Sequence, residues 1–121
     1  MWAPIPGSSV LFCVTPVTAA ASSLLNRFLP PYLHPNSAVF LKVDVQGYED
    51  RVLQGAAGIL NRLVGIEVEL SLVRLYEGQR LFDDLLVEVK EKGFDLWSVR
   101  PVFTDRESGR LLQVDATLFR R

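Results

Sequence analysis

The stretch Phe40-Leu41-Lys42-Val43-Asp44-Val45-Gln46-Gly47-Tyr48-Glu49 decides the fold. It reads as a short apolar strand that delivers a carboxylate, then a glycine, then the first residues of a helix. In a parallel α/β sheet, ligand chemistry collects at the carboxyl ends of the strands. Asp44 stands at such an end and is the first candidate for a functional residue.

Working outward, the residues before this strand predict a short helix over 18–29, with Leu24, Leu25, Phe28 and Leu29 on one face at helical spacing. Pro30-Pro31 ends it, because proline disfavours helix in the preceding residue and cannot continue the hydrogen-bond ladder. A loop through His34, Pro35 and Asn36 then leads into the strand Ala38 to Val45. After it, a helix is expected from about Tyr48 to Leu63, with Val52, Leu53, Ala56, Ile59, Leu60 and Leu63 on a single stripe. Val64 to Leu70 reads as a second strand and Arg80 to Lys92 as a second amphipathic helix, closed by Gly93 at its C′ position. Phe94 to Val99 and Leu111 to Phe119 are two further strands joined by the polar turn from Thr104 to Arg110. The order β-α-β-α-β-β defines an α/β fold, two parallel crossovers closed by a terminal antiparallel hairpin.

Composition is that of an ordinary soluble domain. With 121 residues and 49% hydrophobic content, the chain has material for one core. The net charge is −1, and the thirteen Lys and Arg residues are scattered, so no basic surface for nucleic acid or anionic membrane is expected. A single cysteine, Cys13, cannot form an internal disulfide, and a reducing, cytoplasmic setting is the default. One His and one Cys also exclude a structural zinc site of the usual kind within one chain. No apolar run approaches the roughly eighteen residues of a membrane helix. Residues 1–15 read as a leader or a strand; a secretory signal needs an early positive charge, and the first basic residue is Arg27.

The candidate chemistry has plain structural readings beside it. Asp44 can cap the helix that follows, since aspartate is a favoured N-cap. Gly47 suits a tight strand-to-helix turn. Ile66-Glu67-Val68-Glu69-Leu70 alternates, which places both carboxylates on one face of a strand. That face is either solvated, or Glu69 joins Asp44 in an acidic pocket able to polarise a hydroxyl or bind a divalent ion, with Glu67 the weaker member. Tyr76-Glu77-Gly78-Gln79 is a strand-to-helix loop on the ligand-binding edge. Tyr76 there either receives an acceptor or covers the core. His34 reads as a surface residue, Cys13 as a small buried hydrophobe, and Asp115 as a solvated or arginine-paired residue.

The segments "FLKVDVQGYEDRVLQGA", "VGIEVELSLVRLYEGQRLFDDLLVEVKEKGFDL" and "GRLLQVDATLF" together resemble the C-terminal part of the FkbM-type methyltransferases. These enzymes transfer a methyl group from S-adenosylmethionine, commonly to a hydroxyl oxygen. The resemblance implies the C-terminal half of a Rossmann-like class I methyltransferase fold over 16–121. It also implies a small-molecule or sugar hydroxyl as acceptor. Asp44 then stands as the catalytic residue beside the methyl-accepting atom, and Gln46, Gly47, Glu69 and Tyr76 as substrate-binding residues. The family's Asp-Val-Gly-Ala-Asn-x-Gly turn, which holds the cofactor, does not occur; the only early glycine, Gly7, lies in Pro4-Ile5-Pro6-Gly7. The expectation is therefore the acceptor side of an enzyme, inactive alone, with its strand 38–45 open to pairing by residues 10–14, by another copy in a homo-oligomer or by a missing N-terminal half. The other reading is a non-catalytic α/β remnant or interaction module.

Overall fold

The computed structural model describes residues 9–14, 38–44 and 49–121. They form a five-stranded mixed sheet with the spatial order β1-β2-β3-β5-β4. The strands are β1 (Ser9–Val14), β2 (Ala38–Val43), β3 (Leu63–Ser71), β4 (Phe94–Thr104) and β5 (Leu111–Arg120). Helix α1 (Glu49–Gly55) and a single 3-10 turn (Leu60–Arg62) lie between β2 and β3, and α2 (Phe82–Glu91) lies between β3 and β4. β1 pairs parallel with β2, and β2 with β3. β5 inserts antiparallel between β3 and β4, so the crossover through α2 ends one strand further out.

Period-two patterning builds the core. Val39, Leu41 and Val43 of β2, Ile66, Val68 and Leu70 of β3, and Val114, Ala116 and Leu118 of β5 are buried on one face of the sheet. Val52, Leu53 and Ala56 from the α1 segment and Leu85 and Val89 of α2 complete the same cluster. Both described helices therefore cover one face, in the helix-on-sheet layering that an amphipathic stripe requires.

The expected helix over 48–63 is shorter. α1 ends at Gly55, and the chain continues as i to i−3 turns, with Ile59 N–H donating to Ala56 O at 2.9 Å and Arg62 N–H to Ile59 O at 2.9 Å. Gly55 and Gly58 account for the break, each costing about 1 kcal/mol in a helix interior relative to alanine. The stripe residues Ala56, Ile59, Leu60 and Leu63 are still buried, because a tight turn also returns them to the core. β4 runs past the expected end at Val99 to Thr104. Pro101 is accommodated because β4 is an edge strand, where proline's missing N–H costs no ladder bond.

β2 is not an open edge: β1 pairs with it from Ser9↔Ala38 to Val14↔Val43. The helix expected over 18–29, His34, Val45, Gln46, Gly47 and the Cys13 side chain fall outside the described residues and side chains.

The opposite sheet face carries no described helix. At its centre an ion-pair row crosses four strands: Lys42 Nζ lies 3.5 Å from Glu67 Oε1, Arg100 lies 3.7 Å from the same oxygen, and Arg100 bonds Asp115 at 2.8 Å. Nearer the amino ends of the parallel strands, Phe40, Phe119 and Trp97 form an aromatic group, with Trp97 edge-on to Phe119 at 4.9 Å between centroids. Gly65 lies beneath them, where a Cβ would come within 2.8 Å of both phenylalanine rings.

Candidate functional site

The carboxyl ends of β2 and β3 bring the two strongest sequence candidates together. Asp44 directly follows β2, and Glu69 lies two residues before the end of β3. The Asp44 carboxyl stands close enough to Glu69 to push its pKa upward.

Partial burial raises the Glu69 pKa from the ordinary 4.5 to about 7, with further upward pushes from the nearby carboxyl groups of Asp44, Asp115 and Glu49. Asp115 faces Glu69 across the β3–β5 ladder. Glu49, in the first turn of α1, is only 3% exposed. Near neutral pH such a group is poised to take or give a proton, the property a general base for a hydroxyl requires.

Glu67, on the same face as Glu69, has a different role. Its Oε1 is buried, accepts no hydrogen bond and sits between the Lys42 and Arg100 charges. It belongs to the ion-pair row rather than to the acid pair, as does Asp115 through Arg100. Among the described residues, no group of three or more His, Cys, Asp or Glu side chains is arranged to hold a metal ion.

The loop after β3 rises from the same edge. Gly78 turns it with φ +70°, a left-handed conformation that favours glycine. Gln79, 3% exposed, organises it. Its Oε1 accepts from the backbone N–H of Leu75 at 3.0 Å and of Tyr76 at 3.3 Å, and its Nε2 donates to Ser71 Oγ at 2.7 Å. Gln113 Nε2 donates to the same hydroxyl oxygen at 3.2 Å. Tyr76 is therefore not a core residue; it is 42% exposed on a pinned backbone.

A family model described as the Methyltransferase FkbM domain matches residues 14–96, well over half of the sequence. The chain belongs to the FkbM methyltransferase family. No curated protein matches it. The FkbM match takes in β2, α1, β3, the Gln79 loop and α2, and therefore Asp44, Glu69 and Tyr76; it stops before β5, so "GRLLQVDATLF" lies outside it. Sequence reading placed Gln79 in the loop but had no hold on its anchoring role, on Ser71 and Gln113, or on the burial of Glu49. The one available signal was Ser71 continuing the alternation of Glu67 and Glu69.

S-adenosylmethionine is the methyl donor that FkbM membership implies. Carboxylates suit its cationic sulfonium, but β1 runs into Thr15-Pro16-Val17-Thr18 and β3 into Leu72-Val73-Arg74, neither with a glycine. The described residues thus do not by themselves fit the donor.

Proposed function

We propose that this chain supplies the acceptor side of an S-adenosylmethionine-dependent O-methyltransferase, arranged on the C-terminal half of a Rossmann-like sheet. The acceptor is a small molecule or sugar bearing a hydroxyl. The observation that carries this reading is the Asp44–Glu69 pair, two neighbouring carboxyl groups at the carboxyl ends of β2 and β3 in an FkbM domain. Asp44 accepts the acceptor's hydroxyl proton as the oxygen becomes the nucleophile, and Glu69 beside it is placed to take that proton on. Gln46 and Gly47, two and three residues after Asp44, and Tyr76 on the loop after β3 contribute to acceptor binding. This chain alone holds S-adenosylmethionine too weakly for turnover, because the glycine-rich turn that presents backbone N–H groups to such ligands is not in its sequence. Calorimetric titration checks that statement, and a dissociation constant in the low micromolar range contradicts it.

The deciding experiment fuses the chain to a family domain that carries the glycine-rich turn and compares Asp44→Asn with the parent. Asparagine keeps the shape of aspartate but takes no proton. Methyl transfer is expected to fall by about 10²–10⁴-fold, the usual contribution of general base catalysis, while the melting temperature stays within a few degrees. Full activity of the variant removes Asp44 from the chemistry, and unfolding of the variant reassigns it to structure.

A further inference from the structure

Gln79 is the least expected polar residue in the molecule. It is buried, it comes from an otherwise exposed loop, and every polar atom of its side chain is used. The amide oxygen takes two successive backbone N–H groups, and the amide nitrogen reaches the last residue of β3. Its own backbone joins the clamp: Gln79 N–H donates to Tyr76 O at 3.2 Å, and Arg74 Nε donates to Gln79 O at 3.4 Å.

The anchoring point has a defined place. Ser71 pairs with Gln113 across the β3–β5 ladder, one pair beyond Glu69 and Asp115 on the same face. The loop is therefore tied to the row of side chains that carries the acid pair. What it presents to solvent is apolar: Leu75 and Tyr76 are 39% and 42% exposed. Apolar side chains on an exposed loop are normally mobile; here the backbone beneath them is fixed by a buried amide.

We infer that Gln79 is a positioning residue, holding Leu75 and Tyr76 as a fixed platform beside the carboxylates, and that this platform selects acceptors with an apolar face next to their hydroxyl. The selection rests on the acceptor reading of Asp44 and Glu69; the anchoring does not. A hydroxyl brought to the acid pair by such an acceptor has its carbon skeleton against Tyr76, whereas a small, fully hydrated polyol has nothing to place there.

The test is amide hydrogen exchange and chemical-shift titration on the chain itself. Gln79→Leu fills similar volume but neither accepts nor donates, and is expected to raise exchange at Leu75 and Tyr76 by about tenfold or more while β3 and β5 stay protected. Gln79→Glu still accepts both N–H groups and is expected to retain the protection, which keeps the test decisive if the leucine variant does not fold. Cyclohexanol, used as the probe, should shift the Leu75 and Tyr76 amides in the parent and in Gln79→Glu but not in Gln79→Leu, and glycerol should shift them in none. Unchanged local exchange in Gln79→Leu, a rise spread over the whole sheet, or loss of protection in Gln79→Glu overturns the anchor. Equal responses to cyclohexanol and glycerol, or a parent that responds to neither, overturn the platform. None of these readouts needs a methyl donor or turnover, so failure of the Asp44 chemistry is separately visible.

Discussion

Glu69 shows how one residue's surroundings set its chemistry. The alternation Glu67-Val68-Glu69 puts both acids on one face, yet they end in opposite environments. Glu67 lies between two cations, and Glu69 among Asp44, Asp115 and Glu49. The raised Glu69 pKa has a consequence for stability. Between pH 4.5 and about 7 the folded chain keeps a proton that the unfolded chain has released, so this group's contribution falls as pH rises through that window and is level above it. Because Glu69 is only partly buried, solvent screening cuts the effect to on the order of 1 kcal/mol. Glu69→Gln is expected to flatten that part of the curve and to gain relative stability above pH 7, as read from urea unfolding at a series of pH values. A variant with the parent's slope contradicts the assignment. The place of Asp44 at a strand end was legible from sequence because the apolar run before it reads as a strand. Gln79 was not, since its role exists only once Ser71, Leu75 and Tyr76 have been brought around it.

At the scale of elements, strand positions and the second helix were legible, and the end of the first helix was not. A strand's period of two survives any neighbour, and β2, β3 and β5 bury the residues their alternation selects. Helix length depends on where a continuous ladder fails, and the stripe from Val52 to Leu63 buries equally well in a helix or in tight turns. What fixes the turns is distant. Arg120, at the end of β5, donates from its guanidinium to Leu63 O at 2.8 Å and to Leu60 O, and its guanidinium carbon stands 4.5 Å from the centre of the Phe94 ring. These carbonyls belong to the 3-10 turn and the start of β3, so one side chain closes the passage from helix to strand. Arg120→Met, which keeps the stem and drops the donors, is expected to cost about 1–3 kcal/mol, measured by chemical denaturation. A cost within a few tenths of the parent means the turn holds without it.

For the whole molecule, the described helices lie on one face of the sheet, and the outermost strand β4 is buried only at Phe94. β4 bares Leu96, Trp97, Val99, Val102 and Phe103, with Trp97 65% exposed. An edge strand of this length with apolar side chains is a surface for association. It also carries guards against strand addition: Pro101, the charged Arg100 and register irregularities between Leu96 and Ser98 and between Pro101 and Phe103. These guards act on backbone pairing, whereas the aromatic and aliphatic side chains act through contact area. The two effects predict different behaviour. Contact should produce reversible association that grows with concentration and weakens in Trp97→Ser, because the largest exposed ring is lost. Removing a guard in Arg100→Val takes the cation from Asp115, leaves Glu67 with Lys42 alone and makes the edge more apolar, which should give larger and less reversible species. Light scattering over a concentration series distinguishes them. If the parent and Arg100→Val both remain monomeric throughout, the exposed strand is inert and its apolar residues do not act as a contact surface.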